Sequence, residues 1–449
     1  MADELIRKTA GDLAVGYEKG EFSPVEVASA VFDLIDAVDG RLNAFRLLDR
    51  EGAMAAAARS TERWQKGAPL SPIDGVPTSI KDLFAVKGMS NRKGSLTTPD
   101  TPDPEDAPTV ARLRNAGAVI LGKTNTPEFG WKGVTDSPAE GATRNPWNTD
   151  RTPGGSSGGA SAAAAAEMGV LHLGTDGGGS IRIPAAFAGV FGHKPSFGRV
   201  PYFPPSPMGT LAHAGPLTRT VADSVLMLNV MMGEDPQDWY TQLSSPIHLA
   251  APSGGVKGMK VAYSPALGHA TVDGEVAASV AEAARLFAEL GAEVEECDPF
   301  TDDPVGIFNT LWQSGAYGAL RNLPPDQRAK LDPGLAKVLD DAAGISLGDY
   351  MDAQRDRAAF SSAVKVFMSK YDLLLTPALS VPAFGVDRLV PGGWAEDAQN
   401  SWVAWTPFSY PFNLTQQPAC SVPCGFTKDG LPVGLQIVGR MFDDATVLR

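Results

Sequence analysis

Residues 154–184 read GGSSGGASAAAAAEMGVLHLGTDGGGSIRIP, in which two loops rich in glycine and serine enclose a helix and a strand. The small residues from Ala160 to Met168 predict the helix, and the apolar run from Gly169 to Gly174 predicts the strand. The glycines on either side indicate turns at which the chain enters and leaves this pair of elements. A helix and a strand joined so closely favour a layered α/β fold.

The same alternation of helices and strands extends along the whole chain. Ser23 and Glu26 form a predicted capping box with Pro24 at the first helical position, so a helix is expected to begin there. Residues 1–70 are expected to be mainly helical, and 233–255 to form a surface excursion. Residues 444–449 resemble the start of a helix, which leaves open whether the natural chain continues past Arg449. Further helices are predicted at 50–64, 109–115 and 274–290, and further strands at 118–121, 260–263, 371–377 and 434–439.

The composition limits the kinds of partner. The 449 residues carry 38 Lys and Arg against 52 Asp and Glu, a net charge of −14 at pH 7. This acidic balance argues against nucleic acid or an anionic membrane surface as the main partner. No apolar run approaches the roughly 18 residues of a membrane span, and the N-terminus lacks the apolar run of a signal peptide. The three cysteines, Cys297, Cys420 and Cys424, suggest a reducing compartment, so a cytoplasmic protein is expected.

Two motifs match known active-site patterns without the structural context that those patterns need. Gly117 to Thr124 fits a phosphate-binding loop, but the predicted strand lies between its glycines and no helical pattern follows. A nucleotide-binding module is therefore a remote alternative. Gly155 to Gly159 fits the nucleophile elbow of α/β-hydrolases, but the residues before it are predicted to be loop rather than strand.

No histidine has a neighbourhood typical of a general base, and no metal-ligand spacing occurs, so neither a metal nor a cofactor is expected. The histidines are His172, His193, His213, His248 and His269.

Three segments together indicate a hydrolase that works without histidine. Three successive glycines precede Ser180 and allow backbone N–H groups to converge on the anionic oxygen of a tetrahedral intermediate. A serine beside such a loop is a natural nucleophile when a base removes its proton. Lys81 follows a β-like run, and a buried lysine with a lowered pKa can act as that base. If Lys81 lies too far from Ser180, a second hydroxyl must bridge them, and Ser156 can supply it.

At these residues the sequence resembles the amidase signature family, whose pattern couples a lysine, a bridging serine and a nucleophilic serine. The resemblance is most specific from Gly154 to Pro195 and extends over nearly the whole chain, as far as residues 430–439. It implies one α/β/α domain over residues 1–449, with a mixed twisted sheet covered by helices. It also implies hydrolysis of a small-molecule carboxylic amide and a cis peptide bond between Gly155 and Ser156.

The resemblance also implies a role for each residue of the site. Lys81 becomes the base, Ser156 the proton relay and Ser180 the nucleophile that forms an acyl-enzyme. Four consecutive backbone amides become the oxyanion hole, and two charged side chains support their loop by hydrogen bonds. Position 177 is glycine where family members often carry threonine or an aliphatic residue. The oxyanion donors are Gly177, Gly178, Gly179 and Ser180, and the supporting residues are Asp176 and Arg182.

Within the family, two kinds of protein remain open. One is a stand-alone amidase; the other is the glutaminase component of a tRNA-dependent amidotransferase, the A subunit, which supplies ammonia to a partner. That component usually has Gln where this chain has His213, which favours the stand-alone enzyme. A homodimer is left open as an assembly. Aromatic residues predict a pocket for an apolar or aromatic acyl group, with ordinary core packing as the alternative. They are Phe129, Trp131, Trp312, Trp402 and Trp405.

Overall fold

The strands of the protein are described from a computed structural model that covers residues 2–247, 255–394 and 402–449. They are β1 (Phe45–Leu48), β2 (Pro77–Lys81), β3 (Val119–Thr124), β4 (Asp136–Ser137), β5 (Gly141–Ala142), β6 (Leu171–Asp176), β7 (Phe191–Lys194), β8 (His213–Thr218), β9 (Lys260–Tyr263), β10 (Glu293–Glu296), β11 (Leu373–Pro377), β12 (Ala419–Phe426) and β13 (Pro432–Gly439).

The helices alternate with these strands. They are α1 (Ala2–Leu5), α2 (Ala10–Lys19), α3 (Pro24–Leu42), α4 (Arg50–Gln65), α5 (Pro108–Asn115), α6 (Gly158–Ala165), α7 (Arg182–Ala188), α8 (Val221–Met231), α9 (Gly274–Glu289), α10 (Val305–Leu320), α11 (Pro325–Arg328), α12 (Pro333–Ala342), α13 (Leu347–Met368), α14 (Pro411–Leu414) and α15 (Asp444–Leu448). Single 3₁₀ turns lie at Glu128–Gly130 and Gly209–Leu211.

Eleven of the strands form one mixed sheet in the order β1-β3-β2-β6-β8-β7-β12-β13-β11-β9-β10, while β4 and β5 pair separately. The pairs β3–β2, β2–β6, β11–β9 and β9–β10 are parallel, and the other neighbours are antiparallel. The central strands are buried along their whole length, as expected when helices cover both faces of a sheet. The prediction of an α/β fold with a mixed sheet is confirmed.

Local signals account for most element positions. The capping box at Ser23 is present, and α3 begins at Pro24 as predicted. The helix expected at Ala160 begins at Gly158, and its strand runs two residues later than predicted. The cause is a turn after α6, in which Glu167 and Gly169 both adopt positive φ.

Two longer-range expectations need refinement. The N-terminal 70 residues are mainly helical but also contain β1, which pairs antiparallel with β3 at the edge of the sheet. The predicted excursion at 233–255 contains neither helix nor strand over residues 233–247, where Trp239 and Leu243 are exposed. Residues 248–254 lie outside the described residues. Across the described ranges, no helix has the length and apolar character needed to cross a membrane.

The sheet topology brings the two key strands to a common edge. β2 and β6 are parallel neighbours, with Ile80 in register with Leu173. Lys81, the last residue of β2, therefore lies near Thr175 and Asp176, the last residues of β6. The carboxyl ends of neighbouring parallel strands are the usual location of a site in an α/β fold.

Candidate active site

Lys81 lies in a fully buried position at the end of β2. As an ammonium, its Nζ donates to three hydroxyl oxygens: Ser156 Oγ at 2.7 Å, Ser157 Oγ at 2.9 Å and Thr175 Oγ1 at 2.8 Å. All three acceptors are neutral. The predicted contact between Lys81 and Ser156 is therefore present, and Thr175 is a partner that sequence reasoning missed.

Burial dominates the electrostatics of Lys81. It lowers the pKa of the Lys81 ammonium well below its usual value, and the Asp176 carboxylate opposes this shift only in part. A neutral amine with a free lone pair is the species that can accept a proton.

The loop that carries Ser156 is held tightly against its surroundings. The Gly155–Ser156 peptide bond is cis, as the family resemblance implies. A Cβ at Gly155 would lie 2.6 Å from the Val134 carbonyl, so only glycine fits there. Thr135 Oγ1 donates to Gly154 O at 2.8 Å and accepts from the Gly158 amide at 3.1 Å. Thr135 thus fixes the loop on both sides of the serines.

Asp176 and Arg182 support the second loop, as predicted from the resemblance. Asp176 Oδ1 accepts from the Gly179 amide at 2.8 Å, and Asp176 Oδ2 accepts from the Ile181 amide at 3.2 Å. Arg182 pairs with the same carboxylate at 3.0 Å, and both side chains are completely buried. Burial raises the pKa of the Asp176 carboxyl, but Arg182, with Lys194 and Asn413, outweighs burial and holds this pKa well below its usual range.

One predicted oxyanion donor needs correction. The Gly179 N–H points at the Asp176 carboxylate, so it is engaged within the protein and is not available to a substrate oxygen. The amides of Gly177, Gly178 and Ser180 have no hydrogen-bond acceptor among the described residues. These three remain as candidate donors.

Contacts of the Asp176 carbonyl determine the orientation of the Gly177 amide. The Asp176 carbonyl accepts from Asn413 Nδ2 at 3.0 Å and contacts His213 Nδ1 at 3.1 Å, which donates when the ring hydrogen is on Nδ1. In a trans peptide the C=O and the following N–H point in opposite directions. The Gly177 N–H is therefore directed away from Asn413 and His213.

A cavity of about 370 Å³, which we call the Ser180 cavity, opens onto these groups. Ser156, Thr175, Gly177 and Ser180 all line it. The two loops are linked directly, because the Ser157 amide donates to Ser180 O at 3.2 Å. Lys81 contacts Ser156, and Ser156 lines the same cavity as Ser180. Among the described residues, no hydrogen bond joins the hydroxyls of Ser156 and Ser180 directly.

Two of the five predicted aromatic pocket residues, Phe129 and Trp312, line the Ser180 cavity. A Cβ at Gly177 would lie 3.0 Å from the Trp312 ring, so this indole occupies space that a larger residue at 177 would need. The position of the Trp312 ring therefore accounts for glycine, rather than a larger residue, at position 177.

The other three aromatic residues belong to the core, which corrects the pocket prediction. Trp402 packs behind Trp312, with ring centroids 5.4 Å apart. Trp405 is fully buried and stacks on Phe187. Trp131 is buried against Gly334 of α12. Their rings pack in the core and do not line the cavity.

The remaining sequence motifs have structural explanations. Lys123, within the phosphate-loop pattern, is fully buried in β3 and pairs with Asp82 at 3.1 Å, so its ammonium is engaged inside the protein. A 3₁₀ turn rather than an α-helix follows that strand.

Burial lowers the pKa of His172 to about 3, which leaves it neutral beside Ser79. His248 lies outside the described residues. No group of three His, Cys, Asp or Glu in the described part of the chain could hold a metal ion.

Asn413 and Thr135 are the support residues that sequence reasoning missed most clearly. Asn413 lies far along the chain, and its side chain also donates to Asp176 Oδ1 at 2.9 Å and accepts from Arg182 Nη2 at 2.7 Å. An isolated amide directly after the aromatic run 405–412 was the only available signal. Thr135 had none, because its role depends on the folded path of two separate loops.

Comparisons with known proteins identify the family to which the chain is similar. A family model described as Amidase matches residues 26–448. An acylamidase of Rhodococcus erythropolis is 39% identical, covering 98% of this chain and 93% of the relative. The A subunit of glutamyl-tRNA(Gln) amidotransferase from Myxococcus xanthus is 36% identical, covering 99% of this chain and 96% of the relative.

Solved structures give the same assignment. A bacterial aryl acylamidase of the amidase signature enzymes family superposes with a TM-score of 0.91 at 30% identity, covering 98% of this chain and 94% of that chain. A 6-aminohexanoate cyclic dimer hydrolase superposes with a TM-score of 0.88 at 28% identity, covering 99% and 95%. This chain belongs to the amidase signature family and is an amide-hydrolysing enzyme.

Proposed function

We propose that this chain hydrolyses small-molecule amides through an acyl-enzyme on Ser180, with Lys81 as base and Ser156 as proton relay. The observation that carries the proposal is the 2.7 Å contact between Lys81 Nζ and Ser156 Oγ in a fully buried site. A lysine with a strongly lowered pKa there replaces the histidine of other serine hydrolases.

The proposed proton path runs from Ser180 through Ser156 to Lys81. Neutral Lys81 accepts the Ser156 proton while Ser156 Oγ accepts the Ser180 proton, and Ser180 Oγ attacks the amide carbonyl carbon. The ammonium of Lys81 then returns the proton through Ser156 to the leaving nitrogen, and the carbon–nitrogen bond breaks. Water attacks the resulting ester and gives its proton to the same relay. Ser180 regains a proton when the carboxylic acid leaves.

Stabilisation of the tetrahedral oxyanion is assigned to the amides of Gly177, Gly178 and Ser180. Their lack of protein acceptors among the described residues supports this role. Each donor of this kind contributes about 3–4 kcal/mol to the transition state. Asn413, His213 and Asp176 act as positioning residues, since they hold the peptide units that carry the donors.

The proposed substrates are amides of apolar or aromatic acids. Phe129 and Trp312 on the cavity wall support this choice, as do the names of the acylamidase and aryl acylamidase relatives. Production of a free acid and a free amine needs no second protein chain. A stand-alone amidase is therefore the preferred assignment.

The second candidate is the glutaminase component of an amidotransferase, which releases ammonia from glutamine for a partner. The 36% identity to the Myxococcus xanthus protein supports it. His213 argues against it, because that component usually has Gln at this position. Glutaminase activity that appears only with partner proteins would favour this second candidate.

The test is hydrolysis by the purified chain alone. Anilides of aliphatic and aromatic acids are compared with glutamine, and release of aniline or ammonia is measured. We expect anilide turnover without partners, and its loss in Ser180→Ala with the circular dichroism spectrum unchanged. Turnover in Ser180→Ala close to the wild-type rate would refute the nucleophile assignment.

A further inference from the structure

A second cavity, which we call the Arg357 cavity, lies beside the Ser180 cavity and has a volume of about 530 Å³. Gly318 of α10 lines it and is exposed, while Arg357 of α13 lines it and is buried. Pro207 and Met208 line both cavities, so the two share a wall. The proposed reaction makes no use of the Arg357 cavity.

Every hydrogen-bond acceptor of Arg357 is neutral. Its Nε donates to Leu414 O at 2.8 Å and its Nη1 to Thr210 Oγ1 at 2.7 Å. Its Nη2 donates to Thr210 O and to Asn413 O, both at 3.3 Å. These contacts occupy four of the five guanidinium N–H groups and leave one on Nη1.

Within the described part of the chain, Arg357 also has no counter-ion. Burial lowers its pKa to about 10, so the side chain keeps its charge at neutral pH. The ionisable groups that face it among the described residues are the phenols of Tyr350 and Tyr240, and neither is a carboxylate. Neither an aspartate nor a glutamate of the described ranges pairs with it.

The other two buried arginines show what is usual in this protein. Arg182 pairs with Asp176 at 3.0 Å, and Arg199 pairs with Asp444 at 2.9 Å. A buried charge without an opposite charge is costly, because carbonyl dipoles solvate a cation but do not neutralise it. Arg357 is thus the exception, and it faces a cavity large enough for a ligand.

We propose that the Arg357 cavity binds a small organic monocarboxylate, whose charge pairs with Arg357 and whose apolar body lies toward Leu311 and Met208. One guanidinium matches a single carboxylate in charge, and Ser314 and Tyr350 line the same cavity with hydroxyl groups. A phosphate dianion would bring more charge than this one cation balances. This site is separate from the one at which hydrolysis is proposed.

Gly318 offers a variant that blocks the site without touching Arg357. A Cβ there would meet nothing within 4 Å, so a side chain extends into open space at the cavity wall. Replacement of glycine inside a helix also favours the helix. Gly318→Phe is the blocking variant and Gly318→Ala its matched control.

The experiment measures binding of benzoate, hexanoate, benzamide and inorganic phosphate by isothermal titration calorimetry. We expect benzoate or hexanoate to bind the wild type and Gly318→Ala equally, and Gly318→Phe and Arg357→Met at least tenfold more weakly. Neutral benzamide should bind the wild type at least tenfold more weakly than benzoate. Wild-type affinity in Gly318→Phe would place the carboxylate in the Ser180 cavity and overturn the proposal. Phosphate binding as tight as benzoate binding, or no binding of either carboxylate, would overturn it as well.

Discussion

Replacement of Ser156 by alanine removes the hydroxyl that we propose relays the proton between Ser180 and Lys81, while leaving the rest of the site in place. Lys81 Nζ keeps two of its three acceptors, Ser157 Oγ at 2.9 Å and Thr175 Oγ1 at 2.8 Å. Loss of one hydrogen bond costs about 1 kcal/mol of stability, so the variant should fold. Loss of a general-base path reduces the rate about 10²- to 10⁴-fold, which is about 3–5 kcal/mol in the barrier.

Ser157→Ala is the matched control, because Ser157 is the next residue, is also buried and also accepts from Lys81. Its Oγ donates to Thr175 O and accepts from the Thr175 amide, both at 3.2 Å, so its contacts are within the protein. We expect Ser157→Ala to lose at least tenfold less activity than Ser156→Ala. The assay is steady-state kcat/KM on a p-nitroanilide, with thermal unfolding as the check on folding.

A p-nitrophenyl ester of the same acid gives a second comparison. Its leaving group departs without a proton, whereas an amine must receive one, so the relay matters less for the ester. Ser156→Ala should therefore lose more activity on the anilide than on the ester. Equal losses on both substrates, or equal losses in Ser156→Ala and Ser157→Ala, would refute the assignment of Ser156 as relay.

The base, the oxyanion loop and the cavity wall can each be tested separately. Anilide kcat/KM should rise with pH through the lowered pKa of Lys81, since only the neutral amine accepts a proton. Lys194 is the competing candidate for this titration, because burial lowers its pKa to about 7. The rise of kcat/KM with pH should therefore persist in Lys194→Met. Loss of this pH-dependent rise in Lys194→Met would contradict the choice of Lys81 as base. Asn413→Ala should lower kcat at least tenfold with little change in KM, because the donor to the Asp176 carbonyl is lost, and an unchanged kcat would contradict its positioning role. Gly177→Thr should lower kcat/KM for aromatic amides, because its Cβ would lie 3.0 Å from Trp312, and Trp312→Leu should restore part of the loss; no effect of the single change would contradict the steric argument.

Local sequence signals were sufficient for many elements and for the residues of the proposed relay. The capping box at Ser23 specifies the start of α3, because its contacts span only three residues. The resemblance to the amidase signature family suggested Lys81, Ser156 and Ser180 as the residues of the proposed relay. The parallel pairing of β2 with β6 explains why Lys81 lies near the loop that carries Ser180. In each case the signal is either short in range or carried by an unusual motif.

Features that depend on distant contacts could not be read from the sequence. Asn413 reaches Asp176 across 237 positions of the chain, and no local pattern encodes that contact. Engagement of the Gly179 amide by Asp176 depends on the folded path of the glycine loop, which the motif alone does not specify. Trp405 illustrates a third case, because a tryptophan in the core and one in a pocket look the same in sequence.

The most direct test of the proposed mechanism is to trap the acyl-enzyme and locate the acyl group. The enzyme is mixed with the p-nitrophenyl ester, quenched in acid within milliseconds and analysed by mass spectrometry after digestion. Trypsin should release residues 152–182, and further cleavage after Glu167 separates Ser156 and Ser157 from Ser180. The account predicts one acyl group on the 168–182 fragment, assigned to Ser180 by fragmentation and absent in Ser180→Ala. An acyl group on the 152–167 fragment, or its persistence in Ser180→Ala, would contradict it.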